Sequence, residues 1–396
     1  MRILLLVVYY LPSTMSSATL IHDLAVEFLR LGHEPIVVAP DENILQEYQV
    51  SYENGIKVLR IRTGKIKSAT KFVRAFNEIR LSKSIWKKGK QFFDENHCDL
   101  IIYYSPTIFF GTLVKRLKKL FSCPSYLILG DIFPEWAVET GVLRKGLIYR
   151  YFKYKEQQNY EAADIIRVQS PANLLYFKEN GLDKKYHLEV LYNWTSLPKE
   201  YTPHTKYRAR LGLQNKVVFF YGGNIGIAQD IDNIIRLADN LRNEPDAYFL
   251  LVGGGSEVNR LRAIIESKGL TNIAIHDPVN HQEYLSMLSE FDVGLISLNR
   301  RLKSQNFPGK MMSYMYHAKP MLASINTGND LKEMLEDKKA GLVCINGEDD
   351  IFADYARKLV ADEILRHQLG HNARVLLEET FSVSKAASQI LSHFSN

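Results

Sequence analysis

Short apolar runs alternate with amphipathic segments along the chain. In the first half, several strand-length runs are separated by segments whose apolar residues recur at i, i+3 and i+4, the spacing of one helix face. The pattern predicts strands at 2–8, 35–39, 58–62, 99–103, 125–129, 164–168 and 187–191, and helices at 18–31, 69–93, 107–121 and 171–180. Strands that alternate with helices predict βαβ units and a parallel sheet.

The alternation lapses at 192–215, a polar stretch with two prolines and no clear period, which predicts an inter-domain linker. Strands are then predicted at 216–221, 247–252, 272–275, 292–297, 320–324 and 341–344, and three helical stretches over 349–394. We therefore expect an α/β protein with two Rossmann-like, doubly wound domains facing across a cleft. The predicted domains are 1–195 and 196–380, with a C-terminal helix at 381–396 that packs back on the first domain.

Composition and charge narrow the class of protein. The 396 residues are 46% hydrophobic and 24% charged, which is typical of a globular protein. Residues 1–200 hold 28 Lys and Arg against 21 Asp and Glu, and the stretch 57–90 has twelve basic residues and one acid, Glu78. That stretch is either a solvated helix face or a surface for anionic lipid or phosphate. No nucleic-acid-binding module is recognisable.

The cysteines and the N-terminus predict the compartment. Cys98, Cys123 and Cys344 form no CxxC pair, which favours a reducing compartment and no metal site. The chain has no apolar run long enough for a transmembrane helix. The N-terminal run, MRILLLVVYYLPS, lacks a signal-cleavage site and is predicted to be the first strand, so we expect a cytoplasmic protein.

Two glycine-rich turns follow predicted strands in the second half. FYGGNIGIAQD at 220–230 and LLVGGGSEV at 250–258 each place glycines where a strand ends. Ligands of open α/β sheets bind at the carboxyl ends of the strands, and glycine allows a ligand to approach the backbone closely. The second turn is equally consistent with a tight strand-to-helix connection that binds nothing.

A third stretch contains a lysine near a helix start. Pro308 suits the first turn of a helix, and Lys310 then lies within that turn. The helix dipole disfavours a cation there unless an anion is nearby, so a phosphate partner is one interpretation and a solvated lysine is the other. After the first strand no GxGxxG fingerprint follows, and Ser16, Ser17 and Ala18 open the helix instead.

The order and spacing of several segments resemble the retaining glycosyltransferases of family 4, which have the GT-B fold. These segments are LGHEPIVVAP, GGGSEVNRL, FDVGLISL and PGKMMSYMYHAKPML. More narrowly, DIFPEWAVETGVL at 131–143, LYNWTS at 191–196 and GNIGIAQDID resemble segments of bacterial O-antigen and capsule transferases, in particular N-acetyl-L-fucosamine transferases. The resemblance covers nearly the whole chain.

The resemblance implies an enzyme of bacterial surface polysaccharide synthesis. Such an enzyme transfers a sugar, here an N-acetylated deoxyhexosamine, from a nucleoside diphosphate-sugar to a polyprenyl-diphosphate-linked saccharide. It acts with retention, without metal or other cofactor, at the inner leaflet of the plasma membrane. UDP is the expected base, with GDP as the alternative. The basic first domain would meet the anionic membrane surface, and no nucleic-acid partner is expected.

The resemblance also assigns site residues. Asp131 and Glu135 are expected to take part in the chemistry, with helix capping as the alternative for both. The implied donor site consists of Ser17, Gly222, Gly223, Asn224, Gln229, Gly254, Gly255, Val279, Asn306, Pro308, Gly309, Lys310 and Ser313.

The chain departs from the wider family at charged positions. Two glutamates of the family correspond to Gln305 and Ser313, and an Arg and a Lys correspond to positions near Asn224 and Gln229. Lys310 and backbone N–H groups would then have to stabilise the charge of the leaving diphosphate. The alternatives are a catalytically degenerate GT-B scaffold protein of a polysaccharide assembly complex and a sugar-nucleotide 2-epimerase. The missing glycine fingerprint disfavours a nicotinamide oxidoreductase.

Overall fold

Two open sheets organise the chain, one in each of two units. A computed structural model describes residues 1–13, 15–64, 71–105, 107–139, 143–196, 206–302 and 307–394, without the side chains of Ser16, 71–77, Trp136 and Glu139. Unit 1 comprises Met1–Ser196 and Ser382–Asn396, and unit 2 comprises Leu197–Phe381.

The sheet of unit 1 has eight strands among the described residues. They are β1 (Arg2–Leu6), β2 (Glu34–Asp41), β3 (Tyr48–Glu53), β4 (Ile56–Arg62), β5 (Leu100–Ser105), β6 (Ser125–Leu129), β7 (Ile165–Val168) and β8 (Leu188–Val190). The spatial order is β3-β4-β2-β1-β5-β6-β7-β8. All pairs are parallel except β3 with β4, so the carboxyl ends of seven strands lie at one edge.

Helices cover both faces of this sheet. They are α1 (Ser16–Arg30), α2 (Lys71–Glu95), α3 (Gly111–Phe121), α4 (Glu135–Glu139), α5 (Leu147–Tyr160), α6 (Pro171–Glu179) and α15 (Val383–Ser392). Successive residues of β1 point to opposite faces: Leu4 and Leu6 pack with α2 and α3, and Ile3 and Leu5 pack with α1 and α15. Because both faces are buried, the strands are continuous apolar runs.

The sheet of unit 2 is parallel throughout its described strands. These are β9 (Val217–Gly222), β10 (Ala247–Val252), β11 (Ile273–His276), β12 (Val293–Ser297), β13 (Met321–Ile325) and β14 (Gly341–Ile345), in the order β11-β10-β9-β12-β13-β14. The helices are α7 (Tyr207–Arg210), α8 (Asp232–Asn240), α9 (Val258–Ser267), α10 (His281–Glu290), α11 (Lys310–Tyr316), α12 (Leu331–Asp337), α13 (Asp349–Ala361) and α14 (Glu363–Leu376). A 3-10 turn at Ile227–Gln229 follows β9, and a π-helical turn at Leu377–Phe381 follows α14.

The predicted fold class is confirmed: each unit is a Rossmann-like α/β layer structure. Every predicted strand is present, with ends shifted by a few residues. The pattern missed β3, an exposed antiparallel edge strand, because its residues are mostly polar or half-exposed. It also missed α5, a segment of aromatic and basic residues between the strands predicted at 125–129 and 164–168. None of the described helices is long and apolar enough to cross a membrane.

Candidate functional site

A pocket of about 280 Å³ lies in unit 2 at the carboxyl ends of β9 and β12. It brings together five of the residues predicted for a donor site. The lining residues are Tyr221, Asn224, Gln229, Ile296, Ser297, Leu298, Leu302, Phe307, Pro308, Gly309 and Lys310. The lining combines amide and hydroxyl groups and one ammonium with apolar side chains.

Lys310 is the charged group of this pocket. Its Nζ lies 3.3 Å from the centroid of the Tyr221 ring, a cation–π contact. Within the described ranges, no carboxylate forms an ion pair with it. Burial lowers the pKa of Lys310 well below its usual value, because the ammonium has lost water without gaining an anion. A bound anion would restore the charged form.

Tyr221 is a site residue that the sequence did not single out. It stands near the end of the apolar run VVFFYG and was interpreted only as part of a buried strand. Its hydroxyl donates to the backbone oxygen of Asn224 at 2.6 Å, while its ring supports Lys310. The signal available beforehand was a tyrosine, rather than an aliphatic residue, directly before two glycines.

Asn224 and Gln229 are bonded to each other. Asn224 Nδ2 donates to Gln229 Oε1 at 2.8 Å, and both residues line the pocket, Asn224 exposed and Gln229 half-buried. The turn that carries them is held by Asn299, whose backbone N–H donates to the Ala228 oxygen and whose Nδ2 donates to the Ile227 oxygen. The two amides thus offer uncharged donors and acceptors suited to hydroxyl or acetamido groups.

Glycine is required at positions 222 and 223 for different physical reasons. A methyl group at Gly222 would lie 2.2 Å from the Tyr284 ring, so close packing requires glycine there. Gly223 has φ of +132°, which disfavours other residues, and a methyl group there would lie 3.6 Å from Lys310 Nζ. Gly223 therefore leaves backbone open beside the ammonium.

Packing explains most of the second glycine turn. A methyl group would lie 1.8 Å from the Gly223 oxygen if placed on Gly253, and 2.2 Å from the Ile225 oxygen if placed on Gly255. The Ile225 N–H donates to the Gly254 oxygen at 2.9 Å, so the two turns are bonded back to back. For Gly255 these contacts favour the tight-turn interpretation over a direct role with a ligand. At Gly254 a methyl group would meet only the Pro278 side chain, at 3.0 Å.

The remaining predicted residues of unit 2 lie around these turns. Val279 is half-buried between β11 and α10, next to Asn280, whose side chain caps α10 by accepting from the Glu283 N–H at 2.9 Å. Ser313 is half-buried on α11, three residues after Lys310. Asn306 and the family position at Gln305 lie outside the described residues.

In unit 1, Ser17 and Asp131 follow strands β1 and β6, which both flank β5. Ser17 is half-buried in the first turn of α1; the N-cap position is Met15, and none of the described side chains caps that helix. Asp131 has an exposed side chain at the carboxyl edge of the sheet, yet the protein around it displaces enough water to raise the pKa of its carboxyl group. An acid in such a setting is a candidate functional group.

The Glu135 side chain is engaged in contacts within unit 1. Its carboxylate accepts from the Tyr149 hydroxyl at 2.8 Å and pairs with the Lys153 ammonium at 3.1 Å. Both partners belong to α5, so Glu135 links α4 to α5. These contacts favour a structural role over the catalytic role that we expected beside Asp131.

Metal-ligand clusters were also considered. In the part of the chain that the structure describes, no group of three or more His, Cys, Asp or Glu side chains is placed to hold a metal ion. The three cysteines are buried free thiols.

Comparisons with known proteins give similarities to glycosyltransferases. Residues 204–376 match the family model described as glycosyl transferases group 1. The chain is 26% identical over 65% of its length to a probable glycosyltransferase, WbjE, of Pseudomonas aeruginosa, and 23% identical over 63% of its length to a putative colanic acid biosynthesis glycosyl transferase, WcaI, of Escherichia coli. These alignments span 64% and 63% of the relatives' own lengths, slightly under two thirds.

A solved structure resembles the whole chain. The crystal structure of HepE from Anabaena in complex with UDP matches with a TM-score of 0.68 and 17% identity, over 99% of both chains. At this identity the likeness shows the fold, two Rossmann-like units in tandem as in GT-B proteins.

Proposed function

We propose that the protein is a glycosyltransferase that transfers a sugar from a nucleoside diphosphate-sugar to a lipid-diphosphate-linked saccharide in the assembly of a bacterial surface polysaccharide. The observation that carries this proposal is Lys310, an ammonium without a carboxylate partner among the described residues, lying in a pocket beside the backbone of Gly223. Unit 2 would bind the donor and unit 1 the acceptor. The family match over 204–376 supports the same assignment.

Lys310 would stabilise the leaving diphosphate. Negative charge grows on the diphosphate as the glycosidic bond breaks, and a cation positioned in a dehydrated pocket stabilises that charge more strongly than water does. Lys310 and the N–H groups of Asn224 and Gly226 can supply this without a metal ion, whereas the N–H groups of Gly222, Gly223 and Ile225 already donate within the protein. Retention of anomeric configuration is part of the proposal through the resemblance to family 4, with the donor phosphate helping to deprotonate the acceptor.

The pocket walls favour a sugar with apolar substituents. Leu298, Leu302 and Phe307 line the pocket with apolar groups, and Asn224 and Gln229 line it with amides. A methyl group at C6 would match the apolar groups and an acetamido group would match the amides, whereas a fully hydroxylated sugar would leave hydroxyls against apolar atoms. This supports an N-acetylated deoxyhexosamine as the transferred sugar. UDP is the proposed base, as in the nucleotide complex of the HepE structure.

Asp131 is the acid that we assign to the reaction in unit 1. It is exposed at the carboxyl edge of the sheet, and the pKa of its carboxyl group is raised by desolvation. Such a group could hold the acceptor hydroxyl or orient the donor sugar. Ser17 lies at the same edge.

A membrane surface would be needed for a lipid-linked acceptor, and α5 is the part of unit 1 that fits one. Leu147, Ile148 and Tyr154 are 84%, 64% and 56% exposed, on the outer face of the helix. The Lys155 ammonium lies 5.5 Å from the Tyr154 ring, and Arg150 is exposed nearby. Exposed apolar and aromatic residues among cations are typical of helices that lie in an anionic lipid interface.

The basic stretch 57–90 is a weaker candidate, because described side chains in it have partners within unit 1. Lys57 pairs with Glu34, Arg60 with Glu53, and Lys90 with Asp94.

The assignment of the membrane surface to α5 can be tested with vesicles. We expect the double substitution Leu147→Glu with Ile148→Glu to reduce sedimentation with phosphatidylglycerol vesicles at low salt. Leu175→Glu, on the exposed side of α6, is the matched control. Equal binding by both variants would remove the membrane assignment from α5.

The experiment for the proposed function is calorimetric titration with UDP, GDP, dTDP, CMP and NAD in the presence of EDTA. We expect one nucleoside diphosphate to bind and the others to bind far more weakly. Binding of none would overturn the proposed donor site. Nucleotide binding without sugar transfer to any of several acceptors would favour the scaffold alternative, and donor conversion without acceptor would favour the epimerase.

A further inference from the structure

Arg167 is a buried cation in unit 1 that the proposed donor site does not use. It lies in the middle of β7, between Ile166 and Val168, and its side chain is 0% exposed. Its guanidinium lies 5.6 Å from the Trp194 ring. Its Nε and Nη1 atoms have no hydrogen-bond partner within the described ranges, and no carboxylate there forms an ion pair with it.

Such a charge is costly to bury. An ionised group without a paired counter-ion loses its hydration, and burial lowers the pKa of Arg167 to about 10. An apolar residue of similar size would suit this position in the core better. The buried guanidinium therefore calls for a role that an apolar side chain could not perform.

Among the described residues the guanidinium of Arg167 makes one hydrogen bond, and this bond begins a relay. Arg167 Nη2 donates to Asn193 Oδ1 at 3.0 Å, and Asn193 Nδ2 donates to Gln169 Oε1 at 3.2 Å. Gln169 Nε2 in turn donates to the backbone oxygen of Gly130. The residue after Gly130 is Asp131, so the relay connects the buried cation to the backbone that carries the exposed acid.

The Gly130 backbone is held from the other side as well. Its N–H donates to the Ser105 oxygen at 2.9 Å, and a methyl group on Gly130 would lie 2.4 Å from that oxygen. The Gly130 backbone at the end of β6 is thus fixed by two hydrogen bonds, one from Gln169 to its oxygen and one from its N–H to Ser105. Asn193 and Trp194 are kept in place by the indole N–H, which donates to the Leu20 oxygen at 2.8 Å.

We propose that Arg167 is a buried positioning residue: through Asn193 and Gln169 it fixes the backbone at Gly130 and thereby the direction of the Asp131 carboxylate. This inference rests on the proposed function, because Asp131 needs a fixed direction only if it acts on a substrate. It also gives a physical role to the segment LYNWTS, which links β7 to the acid after β6. A functional group requires such support from residues behind it.

The test combines stability, local exchange and turnover in three variants. Arg167→Met keeps the volume and removes the cation. Asn193→Asp keeps an acceptor for Arg167 but loses the donation to Gln169. Glu161→Gln is the control, since Glu161 directly follows α5 and pairs with Lys115 and Lys185 rather than with the relay.

We expect Arg167→Met to melt at the same temperature as the wild type or higher, because a buried unpaired charge is removed. Amide hydrogen exchange at 130–133 should nevertheless become about tenfold faster or more, the loss expected for one charge-assisted hydrogen bond. Asn193→Asp should show the same local effect, and Glu161→Gln should not. Release of UDP from a panel of UDP-sugars, with bacterial lipid extract as acceptor, should slow in kcat with the donor KM unchanged.

Two results would overturn the proposal. One is unchanged exchange at 130–133 in both relay variants. The other is a lower melting temperature of Arg167→Met with exchange accelerated throughout unit 1, which would make Arg167 an ordinary structural residue. Failure of the proposed function is separately visible, since the wild type would then bind no nucleotide, whereas relay variants of a true transferase retain wild-type nucleotide affinity in unit 2.

Discussion

Replacing Lys310 with methionine tests the donor pocket most directly. Methionine has similar length and fills the space against the Tyr221 ring, but it has no charge and no N–H donors. The described surroundings of Lys310 contain no carboxylate partner, so the substitution does not leave an uncompensated acid behind. Any loss of nucleotide binding can then be assigned to the missing ammonium.

The magnitude follows from the contact that the ammonium would make. A hydrogen bond to a charged group contributes about 1.5–3 kcal/mol, and each 1.4 kcal/mol is about a factor of ten. We therefore expect Lys310→Met to weaken binding of the nucleoside diphosphate by about 10- to 150-fold. Binding of the corresponding nucleoside should change little, because the nucleoside carries no phosphate.

The lowered pKa of Lys310 gives the pH dependence a definite sign. A bound diphosphate favours the ammonium and raises this pKa, so binding takes up protons at pH values between the free and the bound pKa. Affinity should accordingly fall as pH rises through the pKa of the free protein. Titrations in buffers of different ionisation enthalpy should differ in apparent binding enthalpy for the wild type and agree for Lys310→Met.

Protein stability has the matching sign. At pH below both pKa values the folded protein carries the full cost of the buried ammonium, and this cost is relieved as pH rises toward the pKa of an unfolded lysine, about 10.4. Lys310→Met should thus be at least as stable as the wild type at neutral pH. Lys332→Met, which removes an exposed lysine of unit 2, is the charge-matched control. Unchanged nucleotide affinity in Lys310→Met would refute the reasoning.

Two further predictions concern the glycine turns and the acid of unit 1. Gly253→Ala should lower the free energy of unfolding by about 1–3 kcal/mol or more, because its methyl group would overlap the Gly223 oxygen; Gly309→Ala, with open space around it, should be tolerated, and equal denaturation midpoints would contradict this. Asp131→Asn should reduce turnover by about 100-fold or more. Desolvation raises the pKa of Asp131, so as pH is lowered wild-type turnover should begin to fall at a pH above the usual pKa of an aspartate. The cost of the desolvated carboxylate is absent from Asp131→Asn, so the variant should be slightly more stable than the wild type at neutral pH. A pH–rate profile without that acid limb would count against Asp131.

Several site residues were accessible from sequence because their types are unusual for their places. A lysine in a helix's first turn and an amide pair in a glycine turn stand out in an apolar pattern, and the pocket brings Lys310, Asn224 and Gln229 together. The sequence could not distinguish Asp131 from Glu135, because the distinction depends on α5. Once α5 packs beside α4, Tyr149 and Lys153 bind the Glu135 carboxylate, and this contact between separate segments is not encoded locally.

The sequence alone determined the alternation of strands and helices and the fold class, because buried parallel strands require continuous apolar runs and their covering helices require a 3.6-residue period. Contacts between distant segments were decided only by the tertiary structure. The Tyr221 ring lies under Lys310, Gly253 packs against the Gly223 backbone, and Arg167 reaches Gly130 through two amides. Such contacts depend on which strands become neighbours, and a local hydrophobic pattern does not encode that order.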